Sequence, residues 1–164
     1  SDFLMKAFNT VNFPLRTAFA VSHRIWYVVL LLSFVSRIYD ERGISNSDIS
    51  PTEIIKYGCE YFGSTLEGRQ RGTSSLLGIK HKVPVIVEGS LELIFFPTCS
   101  PKVKSCSWIC FNNIISYKKN NYETDVIFKN GEKITIDISY GVFENQYIRA
   151  TRLKAINDMR KLLK

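Results

Sequence analysis

The segment Tyr122–Ile138 leaves this chain little choice of local fold, because two alternating runs flank Lys129-Asn130-Gly131. Apolar–polar alternation marks a half-buried strand, and Asn-Gly between two such runs marks a hairpin. Register then decides the loop length. A two-residue Asn-Gly turn would set Val126 opposite Thr135 and Phe128 opposite Lys133, mixing apolar with polar across the ladder. A three-residue loop, with Gly131 as the left-handed bulge residue, sets Val126 opposite Ile134 and Thr124 opposite Ile136. That keeps Val126, Phe128, Ile134, Ile136 and Ile138 on one face, so the three-residue loop is the expected one.

Other segments carry equally local signals. Ser50-Pro51-Thr52-Glu53 combines an N-cap serine, proline at the first helical position and glutamate at the third, so a helix is expected from Pro51 to about Phe62. Ile54, Ile55, Cys59 and Phe62 recur along it, and Gly63 supplies the stop. Leu76–Lys80, Val83–Val87, Leu91–Phe96 and Ser107–Phe111 read as short strands, with Ile114–Lys118 as a further one. Arg37–Ser50 is polar and turn-rich and reads as a connection. After Ser139 the pattern is helical through Leu163, with Ile148, Ala155, Met159 and Leu162 recurring along one side. The expected class is α+β: an antiparallel β-rich single domain with one internal helix and a C-terminal helix.

The chain has 164 residues, 45% of them apolar, enough to bury roughly two-thirds of the unfolded surface in one core. The uncharged run Ile25–Val35 is shorter than the ~20 residues of a membrane span, and a buried strand or helix is expected there. Cys59, Cys99, Cys106 and Cys110 form no CxxC pair and match structural zinc spacing poorly, so buried free thiols are expected. His23 and His81 lie in no metal motif, and no nucleophile elbow or phosphate-cradling loop is present. The residues thus point to no catalytic group, no metal and no cofactor.

Charge is more informative. The net charge is +7, and residues 101–164 carry twelve Lys/Arg against six Asp/Glu. A basic surface of this kind favours polyanions. The stretch Cys59–Thr73 reads as a short helix end followed by a glycine-rich loop that presents Arg69 and Arg71, whose forked donors suit phosphate or base edges. Lys80, His81 and Lys82 extend an acid-free stretch between Glu67 and Glu88. Lys118 and Lys119, and Arg149 and Arg152 on the C-terminal helix, complete the candidate DNA-binding residues.

Six ordered blocks carry a resemblance. C-E-Y-F-G-S-T-L-E-G-R at Cys59–Arg69, H-K-V-P-V-I at His81–Ile86, F-F-P-T at Phe95–Thr98, W-I at Trp108-Ile109, F-K-N-G-E at Phe128–Glu132 and I-S-Y-x-x-F-E-N-Q-x-x-R at Ile138–Arg149 resemble the competence transcription factor family ComK. Trp108–Gln146 also faintly resembles LytTR-type DNA-binding domains. The ComK resemblance divides the chain into an atypical apolar segment, 1–35, and a ComK-like DNA-binding domain, 36–164. It implies a cytoplasmic activator of genes for DNA uptake and transformation. It further implies a homo-oligomer on double-stranded DNA, reading paired A/T-rich boxes largely through the minor groove. Family members usually continue into a tail through which an adaptor delivers them for proteolysis; the sequence shows no such tail after Lys164, so an adaptor or protease partner is not expected. The alternative readings are a basic protein anchored to membrane by the 25–35 run, and a relative that keeps the fold but not the binding.

Overall fold

The computed structural model describes residues 26–32, 35–40 and 43–163, and among them lie two antiparallel sheets and three helices. In chain order these are β1 (Trp26–Leu32), β2 (Val35–Asp40), β3 (Gly43–Ser47), α1 (Pro51–Tyr61), α2 (Leu66–Leu77), β4 (Val85–Glu88), β5 (Leu93–Pro97) and β6 (Trp108–Cys110). A 3-10 turn at Phe111–Asn113 leads into β7 (Ile114–Asn120), β8 (Glu123–Phe128), β9 (Lys133–Ile136) and α3 (Tyr140–Leu162). The large sheet has the order β3-β2-β1-β6-β5-β4, and the small one β7-β8-β9.

The hairpin has the expected register: Val126 faces Ile134 and Thr124 faces Ile136. Gly131 takes φ +85°, and the Gly131 amide donates to the Phe128 carbonyl at 2.8 Å. The first helix is also as expected, its Ser50 hydroxyl accepting from the Glu53 amide at 3.3 Å. The α+β class holds.

Four local readings are corrected. The glycine-arginine stretch after Gly63 is not a loop. Thr65 caps a second internal helix, α2, by accepting from the Gly68 amide at 3.1 Å, and Gly78 closes it at φ +66°. That helix takes up Leu76–Leu77, so the strand expected at Leu76–Lys80 is absent. Arg37–Ser50 is no mere connection, because β2 and β3 pair there from Ser36↔Ser47 to Asp40↔Gly43. Lastly, the apolar side expected to seat the C-terminal helix is its exposed side: Ile148 is 51% exposed, Met159 63% and Leu162 86%. The buried side is Phe143, Gln146, Ala150 and Leu153.

β1 pairs with β2 on one side and with β6 on the other, through Val28↔Ile109 and Val29↔Trp108. Most of the 25–35 run is therefore an interior strand, and no helix among the described residues is long and apolar enough to cross a membrane. Residues 1–25, the first of that run included, lie outside the described residues.

β5 is buried on both faces, which explains its unbroken apolar sequence. Leu93 and Phe95 join Val85, Trp108 and Cys110 against α1, where Ile54, Ile55 and Cys59 are buried. Ile94 and Phe96 look the other way, onto Phe143 and Leu153 of α3 and Val126 and Phe128 of the small sheet. The α2 helix crosses the β4 edge of the large sheet, with Leu66 in the first cluster and Leu77 in the second.

On the outer face of the small sheet, Asp125 binds the Lys133 ammonium at 2.7 Å and accepts from Thr135 at 2.8 Å and Asn120 at 3.0 Å. These bonds, that of Lys133 foremost, hold its carboxyl down at about 2 against an ordinary 3.8. A carboxylate favoured by folding stabilises above its unfolded pKa and loses that contribution as pH falls through the folded one. Asp125→Asn is thus expected to be less stable than the parent at neutral pH and to converge with it as pH drops from about 4 towards 2. Thermal melts across that range check this.

Candidate nucleic-acid interface

Antiparallel pairing brings three chain passages to one end of the large sheet. Val85↔Phe95 and Pro97↔Trp108 place the start of β4, the end of β5 and the start of β6 together. The 78–84 loop that enters β4 and the 98–107 loop that joins β5 to β6 therefore project side by side. The first carries Lys80 and His81, with His81 exposed, and Lys82, half-buried with φ +50°. The second carries Lys102 and Lys104, both exposed, with Val103 between them 47% exposed. No Asp or Glu occurs between Glu92 and Glu123, so the second loop has no acid of its own.

What holds this end in shape is the C-terminal helix. Gln146, 1% exposed, donates from Nε2 to the Lys82 carbonyl at 2.9 Å and to the Pro97 carbonyl at 2.8 Å. Arg149 donates from Nη1 to the His81 carbonyl at 2.9 Å and to Gln146 Oε1 at 3.1 Å. Two side chains, one turn apart on α3, thus bind the backbone of the basic loop and tie it to the end of β5. Such bonds fix the loop backbone without using the lysine side chains. The motif Gln146-x-x-Arg149 and the motif His81-Lys82-Val83-Pro84 are the two halves of this clamp.

The other end of the sheet is acidic and internally neutralised. The Ser90 amide and hydroxyl both donate to Glu88 at 2.8 Å and hold its carboxyl below the ordinary range. Lys154 pairs with Asp158 at 2.6 Å and Glu92 at 3.2 Å, which raises its pKa, and Lys161 donates to the Gly89 carbonyl at 2.7 Å. Part of the basic excess of the last third is therefore used within the fold.

The candidate residues do not all converge. Lys80, His81, Lys82 and Arg149 share the basic end. Arg69 lies on the packed side of α2 between Leu66 and Thr73, its Nε is buried without a hydrogen-bond partner, and its charge lowers the Glu88 pKa. It belongs with the acidic end. Residues two apart on a helix point about 200° from each other, so Arg71 is turned outward and exposed. Lys118 and Lys119 stand exposed on β7, an outer strand of the small sheet, and Arg152 is exposed beside the apolar stripe of α3. Sequence reasoning missed Lys102 and Lys104; the available signal was the acid-free stretch after Glu92. Among the described residues, no group of three or more His, Cys, Asp or Glu side chains could hold a metal.

An α+β domain with a basic end set by its terminal helix is the class defined by this geometry. The chain belongs to the ComK protein family, whose model matches residues 30–161. It is similar to the competence transcription factor of Bacillus subtilis (strain 168), being 33% identical over 120 residues, 73% of this chain and 62% of that protein. The match thus spans less than two-thirds of the relative's length. No solved structure matches the chain.

Proposed function

We propose that this protein is a cytoplasmic DNA-binding transcriptional activator of competence genes, with no enzymatic step. The observation that carries the reading is the basic end, where α3 fixes the loop of Lys80, His81 and Lys82 beside Lys102 and Lys104. Family membership, and the name of the relative as a competence transcription factor, support the ligand class. Lysines on clamped loops neutralise phosphates and enter the narrow minor groove of A/T-rich duplex, where the negative potential is greatest. The exposed stripe Ile148, Met159, Leu162 supports assembly with a second copy on paired boxes. The 26–32 strand argues against anchorage by that run.

The test is titration of the full chain against A/T-box and G·C-rich duplexes of equal length at several salt concentrations. Tighter binding to the A/T boxes, with affinity falling as salt rises, is expected. Equal affinity for both duplexes would remove the sequence-specific reading.

A further inference from the structure

Cys99 and Cys106 close the lysine-bearing loop between β5 and β6. The Thr98 amide donates to the Ser107 carbonyl at 2.9 Å, and the Ser107 amide to Thr98 Oγ1 at 3.0 Å. One step further along the two chain passages stand Cys99 and Cys106. The β5–β6 pairing ends at Pro97↔Trp108, and the Thr98–Ser107 bonds carry the two passages on side by side to the cysteines. The Cys106 thiol donates to the Cys99 carbonyl at 3.3 Å and lies within hydrogen-bonding reach of the Cys99 thiol. The two differ in access: Cys99 is half-buried, whereas Cys106 is 0% exposed.

We propose that Cys99 and Cys106 are a dithiol–disulfide site that takes low-molecular-weight disulfides as oxidant and locks the Lys102–Lys104 loop when oxidised. The accessible Cys99 thiolate attacks one sulfur of the small disulfide, forming a mixed disulfide and releasing one small thiol. Cys106 Sγ then attacks Cys99 Sγ, forming the intrachain bond and releasing the second small thiol, which leaves with the Cys106 proton. Two protein thiols are oxidised and one small disulfide is reduced to two thiols. The direction of attack follows from burial, which pushes the Cys106 thiol up to about 12 and leaves Cys99 as the entry point. Cys59 and Cys110, both 0% exposed in the core against α1, serve as internal controls.

The site stands independently of the DNA-binding reading, and only its effect on a DNA contact rests on that reading. The full chain is equilibrated with reduced and oxidised glutathione at several ratios, the remaining thiols are alkylated, and peptides are mapped by mass spectrometry. A Cys99–Cys106 cross-link with Cys59 and Cys110 alkylated is expected. Cys106→Ser is expected to stop at a glutathione adduct on Cys99, and Cys99→Ser to form neither product. Amide exchange across residues 100–105 is expected to slow several-fold on oxidation. A Cys99 adduct in the parent that never resolves, or a cross-link through Cys59 or Cys110 instead, would overturn the site. Unchanged exchange across 100–105 in the cross-linked protein would overturn the lock.

Discussion

Gln146→Leu is expected to destabilise the protein by roughly 2–4 kcal/mol, an effect set by what it leaves behind more than by what it removes. The side chain is buried, its Nε2 serves two carbonyls and its Oε1 accepts from Arg149. Leucine fills a similar volume, so little cavity arises. The carbonyls of Lys82 and Pro97 nevertheless lose their donor, and a buried polar group left unsatisfied costs about 1–3 kcal/mol. Arg149 loses an acceptor besides. Urea unfolding checks the value: the midpoint should fall at constant m, since the surface exposed on unfolding is unchanged. A shift under about 1 kcal/mol would mean that water replaces the clamp.

The second large effect concerns binding. Neutralising Lys80, Lys82, Lys102 and Lys104 together as glutamines is expected to weaken duplex binding by roughly tenfold per neutralised phosphate at about 0.1 M salt, and to flatten the log–log salt slope by about 0.9 for each phosphate that no longer has a lysine partner. All four side chains lie outside the packed core, so the fold should survive. Arg69→Gln is the contrasting variant. Its guanidinium lies on the packed side of α2 near Glu88, so the salt slope should stay where it was. If Arg69→Gln flattens the slope and the lysine variant does not, the interface lies on α2 and not at the end of the sheet.

The hairpin and the first helix were legible because each is specified by neighbours in sequence. Register at Gly131 follows from which residues are apolar, and the start at Pro51 from which residue can cap. The second helix was hidden because its buried side is only Leu66, Thr73 and Leu77, with two glycines and two arginines between them. Thr65 as cap and Gly78 as stop were its remaining signals. The facing of α3 was inverted for a similar reason. Gln146 and Ala150 are buried among partners distant in sequence, while Ile148 and Met159, the more apolar residues, look outward. As for the candidate site, charge identified Lys80 and Lys82 but neither Lys102 and Lys104 nor the direction of the arginines. Whether an arginine meets a partner or a carbonyl of its own chain depends on tertiary contacts, and Arg149 meets the carbonyl of His81.

The clamp also orders events in time. A nascent polypeptide emerged only as far as β9 holds Lys80, Lys82, Lys102 and Lys104, yet lacks the side chains that bind the Lys82, His81 and Pro97 carbonyls. The loop of Lys80, His81 and Lys82 therefore gains its fixed backbone only with α3, when Gln146 and Arg149 dock. Under the proposed function, an unfinished chain would carry the lysines without the fixed loop with which to grip a duplex, and these two side chains supply it.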